Sequence, residues 1–476
     1  MLKVKLRILF IFLAVTTTLS AGDFTVTIEG VFPGSEGKNI RLLKYAEQIA
    51  YTREEITDTT INEDGLFYFS FRTYEPIYIF YRIDHARMGH YVEPGNNYRI
   101  VFEPVDFDTL DDRQNPYLNP WHFDFKLYNE KELDSLNKAI SGFNKIFDDF
   151  LLEHFSGVVR HRLNKPLDNF RKHTDSLFQV EISEYPFFKD YYEYKFALYY
   201  RIANIKTPLS LFDDYIINRP VLYENPQYMD FFNTVFDKYL IAGSRNITVN
   251  DLLTTVNRHS SYYALMDSLG KDTILRNEVL RELVMLKSLK DMYYHHDFSK
   301  RSVSSIIQYV HHHSKFPEHR NIAGNIINNF EHLKKGFPAP VLELQGKSGE
   351  TVCLDKFRGK FVLINFWSTW CVPCLAEFSV MEELYEEHNE KIDFVSVSLD
   401  RDAGDYTRFI NENNYPWEFF HFNDNFRLLD RYKVYRLPLY VLIDPQGNIV
   451  ENVAPFPSRG LDRRILRTLF EWDRNN

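Results

Sequence analysis

The chain has 476 residues, of which 44% are hydrophobic and 26% are charged. This composition is typical of a globular protein and excludes a disordered, collagen-like or multi-span membrane chain. Lys and Arg total 56 against 66 Asp and Glu, so the net charge of −10, without a basic tract, argues against nucleic acid as a partner. The sequence contains three cysteines, too few for a disulfide scaffold. At about 150 residues per domain, the length predicts two to four domains.

Residues 1–21 have the layout of a secretory signal peptide. A positive segment with three Lys or Arg residues precedes an apolar run over 8–19, and the small residues Ser20 and Ala21 follow. We expect cleavage after Ala21 and export across the inner membrane to the periplasm or cell envelope, an oxidising compartment. An uncleaved membrane anchor is the alternative, although the apolar run is short for a transmembrane helix.

Residues 22–106 are predicted to form an antiparallel β-sandwich. Apolar and polar residues alternate over 24–29, and every second residue is Phe over 67–71, directly after a hairpin signal at Asp64-Gly65. Further short strands are separated by turn residues, a pattern typical of a sandwich.

Residues 107–333 are predicted to form an all-α middle domain, entered through a connector over 107–125 that is rich in Asp, Asn and Pro. Apolar residues then recur at three- and four-residue steps from Leu133 to Ile146, and similarly over 185–203, 226–242, 247–268, 275–293 and 301–313. Consecutive histidines point around a helix instead of converging, so no metal site is predicted from the local cluster of His295, His296, His311, His312, His313 and His319. The segment 334–340 is predicted to be a linker, because Pro cannot continue a helix.

Residues 334–476 are predicted to form a compact α/β domain. The near-continuous apolar run over 361–366 is typical of a strand buried on both faces. It is followed by alternating helices and strands, predicted over 373–388, 392–399, 405–413, 439–443, 448–453 and 458–472. The last two strands are joined by a turn sequence over 444–447.

Two cysteines, Cys371 and Cys374, stand between the buried strand and the helix that follows it. Free N–H groups and the macrodipole at a helix N-terminus favour a thiolate, so Cys371 is predicted to be the exposed attacking sulfur. Cys374 lies one turn further into the helix, where it is shielded and can resolve a mixed disulfide. A zinc site is disfavoured because further ligands are missing beside the pair. The third cysteine, Cys353, is predicted to be a buried inert thiol in a strand.

The segment 366–374, Phe-Trp-Ser-Thr-Trp-Cys-Val-Pro-Cys, resembles the active site of the thioredoxin superfamily, and the frames 359–371 and 437–447 resemble its ResA/TlpA branch. The start of the sandwich resembles a module found ahead of such domains in secreted bacterial proteins. The resemblance implies a thioredoxin-like C-terminal fold, a redox-active Cys371–Cys374 disulfide with no other cofactor, and a cis Pro438 beside it. It also implies substrate contacts from Trp370, Val372, Pro373, Leu437 and Pro438, although Leu439 stands where the family usually has Thr.

Two polar positions near the motif bear on proton transfer. Asn365 stands where thioredoxins have a buried Asp, and an amide cannot take a proton. The ResA-like branch has a Glu three residues after the second cysteine, and Glu377 matches it, so the resemblance implies proton exchange with Cys374 one helical turn away. The alternative is a solvated glutamate on the helix surface.

The resemblance implies a protein thiol–disulfide oxidoreductase, in the direction of a reductase of envelope-protein disulfides such as those of apocytochrome c. It further implies re-reduction by a membrane electron-donor thiol protein. Two alternatives are a disulfide-introducing oxidase and a redox-gated adaptor whose N-terminal domains carry the main function. The sequence makes no prediction of the oligomeric state.

Overall fold

The computed structural model describes residues 24–107, 121–129, 135–154, 164–244, 246–345 and 351–474. The predicted signal peptide and most of the predicted connector lie outside the described residues. Among the helices that are described, none is both long and apolar enough to cross a membrane.

The N-terminal strands form two four-stranded sheets, with the orders β4-β1-β7-β8 and β3-β2-β5-β6. Their bounds are β1 Thr25–Val31, β2 Asn39–Tyr45, β3 Arg53–Thr60, β4 Leu66–Arg72, β5 Ile77–Ile83, β6 Ala86–Val92, β7 Asn97–Phe102 and β8 Phe125–Asn129. Val26 and Ile28 alternate into a core shared with Phe67 and Phe69, as the period of two predicts.

This β-sandwich confirms the predicted class and differs from the prediction in three details. β1 pairs in parallel with β7, so the sandwich is not entirely antiparallel. The Asp64-Gly65 turn connects β3 to β4, which lie in different sheets, and therefore does not form a hairpin. β8 falls in the region predicted to be helical, but Leu127 lies opposite Ile100 in an antiparallel pair with β7.

The middle region is helical, as predicted, with an aromatic core. Its helices are α1 Ser135–Glu153, α2 Asn164–Leu177, α3 Gln179–Glu184, α4 Pro186–Ile202, α5 Pro208–Tyr215, α6 Pro226–Val235, α7 Val249–Leu253, α8 Tyr262–Leu269, α9 Glu278–Met292, α10 Lys300–His313 and α11 Pro317–Glu331. The predicted helices over 226–242 and 247–268 are both interrupted, because Lys238 and Ser260 adopt left-handed backbone conformations.

The C-terminal region is an α/β domain around a seven-stranded sheet with the order β10-β9-β13-β12-β11-β14-β15. Its elements are β9 Glu343–Gln345, β10 Thr351–Cys353, β11 Phe361–Trp367, α12 Val372–His388, β12 Ile392–Ser398, α13 Ala403–Asn413, β13 Glu418–His421, α14 Phe426–Tyr432, β14 Leu439–Ile443, β15 Ile449–Ala454 and α15 Leu461–Asp473. Every residue of β11 is buried, because this strand lies between β12 and β14 with packed side chains on both faces.

The segment predicted to be a linker is an ordered part of this domain. Gly336 N donates to Ile449 O at 2.7 Å, and Ile449 N donates to Phe337 O at 2.8 Å. The segment therefore pairs with the start of β15 at the edge of the sheet and is not a free linker. The sequence analysis predicted the strand around Cys353, which is β10, but it did not predict β9, β13 or α14.

The α/β domain contacts the outer surface of the sandwich through α14. Asp430 accepts hydrogen bonds at 3.1 Å from both Arg41 and Arg82, which are register partners on β2 and β5. Arg427 pairs with Glu55 of β3 at 2.5 Å. Charged groups from three neighbouring strands thus attach the sandwich to the α/β domain.

Candidate functional site

The dithiol lies at the junction of β11 and α12 as a Cys371–Cys374 disulfide, with an S–S distance of 1.99 Å. Cys371 is the N-cap residue of α12, and Cys374 N donates to Cys371 Sγ at 3.2 Å. A helix N-terminal N–H group is therefore directed at the predicted attacking sulfur, where it stabilises negative charge. Cys371 is 5% exposed and Cys374 is 1% exposed. Cys371 is thus the more accessible of the two, as predicted, but it is buried in the disulfide form and not exposed as the sequence analysis expected.

Three of the residues predicted to contact substrate adjoin this pair in the chain: Trp370 precedes Cys371, and Val372 and Pro373 lie between the two cysteines. Trp370 and Leu437 pack against the core cluster that contains both cysteines. The Leu437–Pro438 peptide bond is cis, as the resemblance implied. Val372 projects into solvent with 73% exposure, and Pro373 beside it is exposed as well. The dithiol therefore stands beside apolar side chains that a protein substrate can cover.

Glu377 lies on the buried side of α12, with 8% exposure. Its carboxylate accepts hydrogen bonds from Ser458 N at 2.8 Å and from Ser458 Oγ at 2.7 Å. The alternative of a solvated helix glutamate is thus wrong, in contrast to the exposed Glu382 and Glu383 further along α12. The sequence analysis missed Ser458, which stands 81 residues from Glu377 and carries no local signal of its role.

Tyr440 and Asn365 form a second polar element of the site. They are register partners across β14 and β11, and both are 1% exposed. Burial, with a smaller contribution from the charge of Glu377, raises the pKa of Tyr440 well above its ordinary range, so its hydroxyl stays protonated. Asn365 Nδ2 lies 3.5 Å from Ser396 Oγ, while neither Asn365 Oδ1 nor the Tyr440 hydroxyl has a hydrogen-bond partner among the described residues.

Asp400 is a buried carboxylate that the sequence analysis did not identify. It lies just beyond the end of β12, separated from it by Leu399, and is 2% exposed. Its carboxylate accepts hydrogen bonds from Thr369 N at 2.9 Å, Thr369 Oγ1 at 2.8 Å and Ser398 Oγ at 2.6 Å. β11 and β12 are parallel, so their C-terminal ends meet at one edge of the sheet. An acidic residue directly after the second strand was the available signal.

Two predictions about cysteine and histidine side chains differ from the structure. Cys353 is exposed, because Val352 takes the core-facing position of β10 and the alternation turns Cys353 outward. His295 and His296 lie in the turn after α9, and their rings stack at 4.7 Å. The expectation that they diverge is therefore wrong, and their ligand atoms lie with that of Asp297 within 4.8 Å of one another. The absence of a bound metal stays a prediction.

Comparison with known proteins assigns the C-terminal domain. A family model described as thioredoxin-like matches residues 359–449. The thiol-disulfide oxidoreductase ResA of Oceanobacillus iheyensis is 36% identical over 137 residues, which are 28% of this chain and 71% of that protein. ResA of Bacillus subtilis is 31% identical over 127 residues, 26% of this chain and 69% of that protein. A solved thiol:disulfide interchange protein from Bacteroides sp. is 29% identical and covers 25% of this chain and 81% of its own, with a TM-score of 0.24.

The fold and the dithiol define a thioredoxin-like thiol–disulfide oxidoreductase. Through its C-terminal domain, this chain belongs to the family of the ResA thiol-disulfide oxidoreductases.

Proposed function

We propose that this protein is a reductase of disulfide bonds in proteins of the cell envelope. The observation that carries the proposal is the N–H group of Cys374 directed at Cys371 Sγ, which prepares that sulfur to leave or attack as a thiolate. The signal-peptide pattern over 1–21 supports action outside the cytoplasm. The exposed apolar side chains beside the dithiol support a protein as the substrate.

The reaction begins with the reduced pair. The Cys371 thiolate attacks one sulfur of the substrate disulfide, that S–S bond breaks, and the departing substrate thiolate takes up a proton. Cys374 then loses its proton and attacks Cys371 Sγ, which breaks the mixed disulfide and releases the second substrate thiol. Two electrons pass to the substrate, and the enzyme is left with the Cys371–Cys374 disulfide described above.

We propose that Glu377 accepts the proton that Cys374 loses. The two hydrogen bonds from Ser458 support this role, because they orient a buried carboxylate one helical turn from the resolving sulfur. Glu377→Gln is expected to slow resolution of the mixed disulfide and to change the pH–rate profile of exchange. The exposed Glu383→Gln is the matched control on the same helix, and a profile unchanged in both variants contradicts the role of Glu377.

Continued turnover requires re-reduction of the disulfide, and we propose a membrane-bound thiol protein as the electron donor. Apocytochrome c is one candidate among envelope substrates. The same geometry serves a disulfide-introducing oxidase, so the direction rests on the reduction potential. Equilibration with defined dithiol buffers tests it: a potential near about −270 mV supports the reductase, and one near about −120 mV supports the oxidase.

The attacking role of Cys371 has its own test in insulin reduction by the full chain. Cys371→Ser is expected to abolish turnover, whereas Cys374→Ser is expected to accumulate a mixed disulfide with its substrate. Full activity of Cys371→Ser contradicts the mechanism. If the unaltered chain does not reduce insulin at all, the adaptor function assigned to the N-terminal domains becomes the better explanation.

A further inference from the structure

The loop that leads into the dithiol is held by a buried negative charge. Asp400 receives hydrogen bonds from the Thr369 backbone, the Thr369 hydroxyl and the Ser398 hydroxyl. All three groups are donors, and an ionised carboxylate only accepts, so the arrangement fits the charged form of Asp400. Burial raises the pKa of this carboxyl, while the hydrogen bonds from Ser398 and Thr369 oppose that rise.

This charge is close to the sulfur that we assign to attack. Thr369 stands two residues before Cys371, and two residues of chain span at most about 7 Å. Since the carboxylate lies 2.9 Å from Thr369 N, it is within about 10 Å of the Cys371 backbone. Cys371 N also donates to Ser368 O at 3.1 Å, so the loop folds compactly between the carboxylate and the cysteine.

Within the described part of the chain, the side chains that donate to the Asp400 carboxylate, those of Thr369 and Ser398, are neutral. His421 from β13 approaches the backbone carbonyl of Asp400, at 2.5 Å from its Nε2, and not the carboxylate. The guanidinium of the next residue, Arg401, lies over the Trp121 ring at 5.3 Å. The buried polar residue on β11, Asn365, is neutral. Asp400 is therefore the acidic group that the described contacts place on the loop entering the dithiol.

We propose that Asp400 is a positioning residue of the redox reaction, which holds the loop before Cys371 and disfavours its thiolate by like-charge repulsion. The proposal rests on the assignment of Cys371 as the attacking sulfur. A nearby negative charge opposes ionisation of a thiol. A less stable thiolate makes the reduced dithiol less stable, and the pair becomes a stronger reductant. Asp400 thereby biases the dithiol toward the reductase direction.

The test is a pH titration of Cys371 by its thiolate absorbance, in the full chain with Cys374→Ser and Cys353→Ser. Asp400→Asn is expected to lower the pKa of Cys371 by about one unit, the size of a single charge at this range in a partly screened protein. In the chain with all its cysteines, the same substitution is expected to make the reduction potential less negative by up to about 30 mV, a tenfold change in equilibrium.

The matched control is Asp402→Asn, because Asp402 is an exposed acid two residues away that caps α13 by accepting from Gly404 N at 2.7 Å. Asp400→Ser is a second neutral variant, whose hydroxyl can still accept from Thr369, in case the Asn variant does not fold. Asp400→Glu retains the charge and is expected to retain most of the parent pKa.

A Cys371 pKa that falls in both neutral variants and stays in Asp400→Glu and Asp402→Asn supports the proposal. The proposal is overturned if the pKa of Cys371 moves no further in the neutral variants than in Asp402→Asn. It is also overturned if Asp400→Glu shifts this pKa as much as the neutral variants do, because that result points to loop geometry and not to charge. These outcomes are independent of turnover. Retained insulin reduction by Cys371→Ser instead overturns the assignment of the attacking sulfur.

Discussion

The exposed Val372 between the two cysteines allows a direct test of substrate contact. It is 73% exposed, so its side chain contributes little to the stability of the free protein. Full burial of a Val side chain is worth about 1.5 kcal/mol or more. If a protein substrate covers most of the exposed part, Val372→Ser removes about 1–1.5 kcal/mol from the complex. We therefore expect a loss of up to about tenfold in kcat/KM for insulin reduction.

The assay compares two substrates. Insulin presents polypeptide around its disulfides, whereas a small aromatic disulfide reaches the sulfur without covering Val372. Only the insulin reaction is expected to slow. The free energy of unfolding, measured by thermal unfolding, is expected to change by no more than about 0.5 kcal/mol. Val180→Ser is the matched control, since Val180 on α3 is 60% exposed and far along the chain from the dithiol.

Two results refute this reasoning. An unchanged kcat/KM for insulin means that substrate does not cover Val372. An equal loss with both substrates means that the substitution acts on the reactivity of the dithiol and not on substrate contact.

The remaining predictions concern the scaffold. Asp430→Ala leaves Arg82, whose side chain is 16% exposed, without its acidic partner, and is expected to lower the free energy of unfolding in denaturant by about 2 kcal/mol. The control Asp405→Ala breaks an exposed pair and is expected to lower it by under about 0.5 kcal/mol. Equal losses in the two variants contradict the role of the interface. Burial raises the pKa of Glu224 from 4.5 to about 7, so its neutral form is favoured on folding. The stabilisation that comes from the neutral carboxyl is complete below about pH 4.5 and is lost as the pH rises through 7. This loss amounts to at most about 3 kcal/mol in the free energy of unfolding, so Glu224→Gln is expected to flatten the fall of Tm over this window. A Tm curve parallel to that of the parent argues against a neutral Glu224. Finally, a thiol reagent is expected to label Cys353 in the folded disulfide form, as read by mass spectrometry, and a site that reacts only after denaturation contradicts its exposure.

Local sequence predicted the elements whose pattern is complete within a few residues. The apolar run of β11, the helix after Cys371 and the turn between β14 and β15 all match the structure closely. The first signal is strong because a strand buried on both faces must be apolar throughout. The second is strong because two cysteines separated by two residues, directly after a core strand, are typical of a dithiol at a helix N-terminus. The cis peptide bond before Pro438 was instead implied by the resemblance of the frame 437–447 to the ResA/TlpA branch, and the structure has it.

The weaker predictions failed where exposure or pairing depended on distant residues. β8 is a strand because β7 offers it an unpaired edge, and the segment 334–340 is ordered because β15 does the same. Cys353 is exposed because its neighbour in β10 occupies the core position. Short segments of this kind contain too few periodic residues to indicate a strand or a helix, so the neighbouring strand that is available for pairing decides their conformation.

The sequence by itself determined the class of this protein, because the dithiol motif and the strand and helix that position it are contiguous in the chain. Only the tertiary structure decided which polar groups surround the dithiol. Ser458 reaches Glu377 across 81 residues and Asp400 reaches Thr369 across 31. The second contact arises because the parallel strands β11 and β12 bring their C-terminal ends to one edge of the sheet, and the first arises because the turn before α15 packs against α12. No pattern within any of these segments encodes the meeting.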